Sequence, residues 1–336
     1  ITALQGRDRT VKHVLNDIYL VPHIREHLIY DNGASLKGKG VDFTRRRLVA
    51  HLEKFYKSHG SNQGYIMLMD FSGYYDNMDH RIAMQMIDKY EPDPFARKLV
   101  KQAYDSYRID VSYISDEEYQ RALSEKFSVV EYRNEKHEKL GERYLERSMS
   151  VGDQTSQITA IAYATPIDKL VTIVNGYRYY ARYMDDFTII DNDYHRLQFI
   201  LDCIRNFAYC EMKMTLNEKS TIVYIDENNA LDFAGFRIYS NRVLPRKSTI
   251  ERIYNLLYSL EDGIISIDDF CKSWPSMIGY IEFANSRNIL NEAHNKLYNY
   301  LYELYADSDF YGTNFDLSSE ILLENYYDTI FKYSKY

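Results

Sequence analysis

Apolar positions along the chain fall into two periods, and the changes between them mark the elements. Residues 7–31 set Val11, Val14, Leu15, Ile18, Leu20 and Val21 among charges, which predicts a helix that breaks near Pro22 and resumes briefly. Leu48, Val49, Leu52 and Phe55 form a second helical stripe, opened by Arg45-Arg46-Arg47. Tyr65-Ile66-Met67-Leu68-Met69 is a continuous apolar run ending in Asp70, the pattern of a strand buried on both faces. A turn through Phe71–Asn77 leads to helices from about His80 to Tyr90 and from Phe95 to about Tyr107, divided by Glu91-Pro92-Asp93-Pro94. Residues 110–147 are rich in charge and Tyr and read as an inserted, solvated, partly helical segment. A strongly apolar helix follows, from Ile158 to Val171, opened by Ser150-Val151-Gly152-Asp153-Gln154-Thr155-Ser156-Gln157. Arg178 to Asp191 predicts two short strands with the turn at Met184-Asp185. A helix over 194–208, a loop and strand over 213–225 and a strand pair over 231–239 come next, with Gly235 at a bulge or close approach. From 249 onward the pattern is helical: 249–262, 266–285 and 290–306.

Composition changes this picture little. At 336 residues, two or three lobes are expected at roughly 150 residues per domain. An apolar fraction of 45% supports ordinary cores. Cys203, Cys210 and Cys271 have no metal-ligand spacing and fit free thiols in a reduced, cytoplasmic chain. No apolar run reaches the roughly 20 residues of a membrane span. The net charge of −8 disfavours a uniformly basic nucleic-acid binder, but it hides a gradient. Residues 1–60 hold 11 Lys/Arg against 6 acids, net +5, whereas 301–336 hold 2 lysines against 7 acids, net −5. A phosphate-binding face on one side only is compatible with that split. Lys37-Gly38-Lys39-Gly40 and the triple Arg could each approach a phosphate or simply be solvated surface.

The chemistry centres on Tyr183-Met184-Asp185-Asp186. Two adjacent acids inside an apolar hairpin are costly unless a cation or hydrogen bonds compensate them. By itself the stretch is balanced between a solvated Asp-Asp turn and a metal site. Laying the two apolar runs side by side puts Asp70 and Asp185 at the ends of adjacent strands. Two carboxylates facing one pocket repel unless divalent cations lie between them. Oxygen ligands select hard ions such as Mg²⁺. Two such ions about 3.5–4 Å apart stabilise the attacking and leaving oxygens of an in-line phosphoryl transfer.

At this point the chain resembles the reverse transcriptases. Met69-Asp70-Phe71-Ser72-Gly73-Tyr74-Tyr75-Asp76 resembles their first catalytic motif, and Val151–Gln157 resembles the motif that positions template and nucleotide. Tyr183-Met184-Asp185-Asp186 resembles the catalytic hairpin. Leu216-Asn217-Glu218-Lys219-Ser220-Thr221 and Phe233-Ala234-Gly235-Phe236 resemble the next two motifs. The fold implied is α+β: a right-hand polymerase with fingers, an antiparallel palm sheet carrying helices, and a helical thumb. The resemblance assigns fingers to 1–64, palm to 65–240 with a fingers-side insertion at about 95–147, thumb to 241–306 and an acidic, Tyr-rich tail to 307–336. The basic fingertip strand that precedes Arg9 in the family is expected upstream of Ile1.

The resemblance also implies the roles. Asp70 and Asp185 hold two Mg²⁺ ions, for which Mn²⁺ can substitute. The Phe71 carbonyl completes one site, and Asp186 sits beside them. Tyr75 blocks a 2′-hydroxyl. Gly152, Gln154, Ser156 and Gln157 line the nucleotide and template side, with Gln157 where the family carries Pro. Lys219 protonates the leaving pyrophosphate. Arg7, Arg9 and Lys12 contact phosphates, and Met184 packs beneath the primer end. The form of the Val151–Gln157 motif, the run Arg9-Thr10-Val11-Lys12-His13, Leu244-Pro245-Arg246-Lys247-Ser248 and Ser273-Trp274 are similar to the enzymes of diversity-generating retroelements. That implies a bacterial or phage-encoded, cytoplasmic enzyme copying template RNA into cDNA from dNTPs, error-prone, with a small basic accessory protein. An anti-phage defence enzyme, a group II intron or retron-like enzyme, and an inactive RNA-binding scaffold are the alternatives.

Overall fold

The computed structural model describes residues 6–61, 63–124, 138–226, 231–233, 236–239, 242–282, 284 and 286–311. The bulge expected at Gly235, the middle of the 110–147 insertion and the tail beyond 311 lie outside these described residues. The chain divides into two compact units, Ile1–Asn229 and Ala230–Tyr336.

The first unit begins with α1 (Gly6–Val14), a π-helical turn (Leu15–Leu20) and α2 (Val21–Arg25). The helix break expected near Pro22 is absent: the backbone stays helical from Gly6 to Arg25, passing through the π-helical turn. Pro22 lacks an N–H to donate to the preceding turn, and the helix passes it directly after the wider π-helical turn, in which Val21 N–H donates to the Asn16 carbonyl. α3 (Val41–His59) leads to β1 (Gly64–Met69), followed by α4 (Tyr74–Asn77), α5 (His80–Tyr90) and α6 (Pro94–Tyr107). Asp79 and Asp93 cap α5 and α6 by accepting from the second and third N–H groups of each. The insertion then forms β2 (Ile109–Asp110), α7 (Asp116–Ser124) and β3 (Tyr144–Leu145). It is less solvated than expected: Val111, Ile114, Ala122 and Leu145 bury one another in a small core. α8 (Gln154–Tyr163), α9 (Thr165–Lys169) and a second π-helical turn precede the hairpin of β4 (Tyr180–Tyr183) and β5 (Asp186–Asp191). α10 (Tyr194–Met212) and β6 (Thr221–Ile225) complete the unit.

The central sheet has the order β4-β5-β1-β6, antiparallel throughout. Both faces are covered, which is why β1 reads as an unbroken apolar run. Met67, Met69, Phe187, Ile189 and Tyr180 enter the large core shared with Ile158, Ile161, Leu197, Ile200 and Ile204 of α8 and α10. Ile66 and Ile190 are register partners buried outside that cluster, on the alternate face, where α3 packs on β4 and β5. Through this core runs one ion pair: Arg182 of β4 and Asp168 of α9, 2.7 Å apart and both 0% exposed. Removing one partner of such a pair costs about 3–5 kcal/mol.

The second unit holds the three-stranded sheet β7 (Leu231–Phe233), β8 (Phe236–Ile238) and β9 (Val243–Pro245). Within it β8 pairs with both β7 and β9. α11 (Lys247–Glu261), α12 (Ile267–Glu282) and α13 (Arg287–Tyr311) bundle around Leu257, Phe270, Trp274, Ile281 and Leu297. Among the described residues, no helix is long and apolar enough to cross a membrane.

β1 starts at Gly64 because α3 leaves no room for a side chain there: an added Cβ would lie 2.7 Å from Cζ of the buried Phe55. Gly64→Ala should therefore destabilise the fold by about 1–3 kcal/mol. A lowered urea midpoint with unchanged slope is the expected readout, and an unchanged midpoint would show that α3 yields freely.

Candidate active site

Asp70 leaves the end of β1, and the β1–β5 register (Met69 opposite Phe187) carries it alongside Asp186 and the β4–β5 turn. The loop before β6 clamps this segment. Ser72 N–H donates to the Thr215 carbonyl (2.9 Å) and Asn217 N–H to the Asp70 carbonyl (2.7 Å). The Asn217 side-chain amide also donates to Asp70 Oδ2 at 3.2 Å. The Phe71 carbonyl takes part in none of these bonds, while its ring is buried against Tyr74 and Phe187.

The β4–β5 connection is a two-residue turn closed by the pair Tyr183–Asp186. Met184 adopts φ 54°, a left-handed conformation uncommon for a residue with a Cβ. Its sulfur receives contacts from Tyr75 Oη (3.8 Å) and Ser35 Oγ (3.9 Å). Tyr75 thus lies against the turn. Burial and the neighbouring charge of Asp185 push its hydroxyl pKa up to about 12.

Asp185 stands within hydrogen-bond reach of Asp70. Burial and the charge of Asp70 raise its pKa to about 7. Burial, then Asp70, raises Asp186 to about 6; Asp186 is the more exposed, so water damps its response. The three acids therefore repel in their ionised form. Among the described residues, no three His, Cys, Asp or Glu side chains close into a metal cage. Two neighbouring carboxylates form an open oxygen site instead. That donor set fits a hard divalent ion that keeps water and takes its other ligands from phosphates.

A second group of residues assembles at the start of α8. Arg9, Lys12 and His13 of α1 line one cavity of about 280 Å³ with Gly152, Asp153, Gln154 and Gln157. Gly152 has φ 94° and open space where a Cβ would stand, so backbone is exposed to whatever enters. Gln154 Oε1 is buried without a hydrogen-bond partner, as is Oγ of Ser156, which lies within the core and does not line the cavity. Lys12 is already engaged: its ammonium donates to Asp153 Oδ2 (2.7 Å) and Tyr107 Oη (2.6 Å). Arg9 and His13 are the side chains left to meet an anion there. Lys219 is exposed and makes no ion pair among the described residues.

Two other basic features of the sequence are used inside the fold. Lys39 donates to the carbonyls of Tyr30 (2.6 Å) and Asn32 (2.8 Å) and lies over the Phe43 ring. Arg45 is buried and paired with Asp42, and Arg47 pairs with Asp31, which also meets His51. Of the triple Arg only Arg46 is exposed, so phosphate contact by the whole run is not supported. The sequence reading missed Asn217, His13, Asp153, Arg182 and Asp168. A signal for the last two existed: one charge each, of opposite sign, in otherwise apolar runs.

A carboxyl that holds its proton more tightly when folded makes stability fall as pH rises. For Asp185 the loss begins near the ordinary carboxylate range and is complete above about pH 7. The metal-free chain should accordingly gain melting temperature on Mg²⁺ addition at about pH 8, and gain far less at about pH 5.5. Asp185→Asn should flatten that difference; an unchanged metal response in this variant would remove Asp185 from the site.

The sequence profile of the family described as reverse transcriptase (RNA-dependent DNA polymerase) matches residues 8–238, which include both carboxylate segments and the α1–α8 cavity. No curated protein matches the chain. Solved structures similar to it include telomerase from Candida albicans in complex with the TWJ fragment of telomeric RNA, at 10% identity and TM-score 0.44, covering 87% of this chain and 46% of that one. Apo telomerase from Candida tropicalis is similar at 15% identity and TM-score 0.47, covering 89% and 50%. The chain thus spans about half the length of these structures. With the profile matched across more than half of its residues, the chain belongs to the reverse transcriptase (RNA-dependent DNA polymerase) family.

Proposed function

We propose that the chain copies an RNA template into DNA by two-metal nucleotidyl transfer. The observation that carries this reading is the meeting of Asp70 and Asp185 at one end of the sheet, within hydrogen-bond reach and mutually repelling. Asp70 and Asp185, with the Phe71 carbonyl, would hold the divalent ions, Mg²⁺ or Mn²⁺. Bound there, the ions would supply positive charge to offset that on the attacking 3′-hydroxyl and the leaving pyrophosphate. Asn217 holds Asp70 by its amide and leaves Oδ1 for coordination. Tyr75, braced on Met184 beside the turn, would exclude ribonucleotides by clash with a 2′-hydroxyl. Lys219, exposed on the loop that clamps Asp70, would give a proton to the leaving pyrophosphate.

The α1–α8 cavity supports a nucleic-acid role on the fingers side. Arg9 and His13 supply cations, Gly152 permits close approach, and Gln154 and Gln157 supply amides. Template RNA, primer and dNTPs are the partners this arrangement suits. In this reading the first unit carries fingers and palm, and the helical bundle of the second is the thumb. The specific role we propose is error-prone cDNA synthesis in a diversity-generating retroelement, supported by the Val151–Gln157 motif with Gln157 in place of Pro. A small basic accessory protein would complement the net charge of −8.

Primer extension on an RNA template tests the reading. Asp70→Asn and Asp185→Asn should each lower Mg²⁺-dependent dNTP incorporation on the order of 10³-fold with the melting transition retained. Undiminished synthesis by either would end the two-metal assignment. Tyr75→Ala should reduce discrimination against ribonucleotides by about tenfold or more; unchanged sugar selectivity would make Tyr75 a packing residue. Sequenced cDNA from the neighbouring RNA should show errors concentrated at adenines, and uniform fidelity would contradict the retroelement role.

A further inference from the structure

Arg182 interrupts an apolar strand, and its side chain is fully buried. Its guanidinium donates in four directions. Nε reaches Asp168 Oδ1 (2.8 Å) and Nη2 reaches Asp168 Oδ2 (2.7 Å). Nη2 also donates to the Ile161 carbonyl (3.0 Å), and Nη1 to the Met184 carbonyl (3.0 Å). Asp168 is held in turn by the Tyr180 hydroxyl at 2.6 Å. The backbone of Arg182 is fixed as well: its N–H donates to the Asp31 carbonyl (3.1 Å), and its carbonyl accepts from Gly33 N–H (2.8 Å).

A buried ion pair of this kind can often be replaced by apolar packing without loss of stability. An apolar residue could not donate to Met184. That carbonyl shares a rigid peptide plane with the Asp185 N–H, so the donor that fixes the carbonyl also fixes the point from which the Asp185 side chain departs. The brace acts on a residue held in the left-handed region, Met184 at φ 54°. A planar fork serving three acceptors in fixed directions is something lysine cannot reproduce.

We propose that Arg182, seated by Asp168, is a positioning residue that holds the Met184–Asp185 peptide in its left-handed turn so that the Asp185 carboxylate meets Asp70. This rests on the reading of Asp70 and Asp185 as the metal pair.

The test uses the full chain and three readouts: thermal melting, Mn²⁺ binding followed by electron paramagnetic resonance without nucleic acid, and primer extension. Arg182→Lys should weaken Mn²⁺ binding about tenfold and raise the Mg²⁺ concentration needed for extension by a similar factor. Glycine reaches positive φ without a brace, so adding Met184→Gly to Arg182→Lys should recover much of the Mn²⁺ affinity while leaving the melting temperature low. Asp168→Asn, which mis-seats the guanidinium without removing it, is the second variant and should weaken Mn²⁺ binding in the same direction. Wild-type Mn²⁺ affinity in both single variants would overturn the positioning role and leave the polymerase reading standing. Failure of Met184→Gly to restore any affinity would overturn it too, by showing that the pair acts through stability alone. A wild-type chain that neither binds Mn²⁺ nor extends a primer would sink the polymerase reading and this inference with it.

Discussion

Like-charge repulsion between Asp70 and Asp185 is the constraint to which the rest of the first unit answers. Two carboxyls within hydrogen-bond reach, partly withdrawn from water, disfavour their own ionised state, and Asp185 responds by holding its proton up to about pH 7. Nothing in a hairpin of apolar residues gains from that arrangement. It persists because the sheet register, the clamp from the 215–220 loop and the braced turn at Met184 over-determine it. In the proposed reading a divalent cation would turn the same repulsion into a binding site, so that the cost of the pair and its use would have one origin.

The remaining features serve placement. β1 and β5 are buried on both faces, so a one-residue slip would move an entire set of apolar side chains and is strongly resisted. That rigidity lets the sheet end carry the acids at fixed spacing. α1 and α8, tied by the Lys12–Asp153 pair, bring Arg9 and His13 to the same cavity as Gly152 and Gln154, across more than a hundred residues of sequence. Lys12 shows how a basic residue lining a cavity can be used to build it.

The strands, the helices after them and the acids at their ends were legible because each is a local pattern. A continuous apolar run ending in Asp70 reads as a buried strand, and the stretch around Asp185 reads as a hairpin, although its two acids become a metal candidate only beside Asp70. Pairings that close over distance were not legible. Arg182 and Asp168 look like two unrelated charges until the fold joins them. Lys39, Arg45 and Arg47 look like phosphate ligands until their acceptors, the Tyr30 and Asn32 carbonyls, Asp42 and Asp31, fold beneath them. The break expected at Pro22 does not occur, because a π-helical turn just before the proline accommodates it and the helix continues to Arg25. The small core of the insertion escaped notice because Val111, Ile114, Ala122 and Leu145 are too few and too scattered to form a periodic stripe.

The most direct measurement is an anomalous difference map from crystals of the chain soaked in Mn²⁺ with a primed RNA template and a non-reactive dNTP analogue. Two peaks bridging Asp70 and Asp185, one of them touching the Phe71 carbonyl, are the predicted result. An ordered complex with no peak between these carboxylates, or with its manganese held elsewhere, would contradict the account.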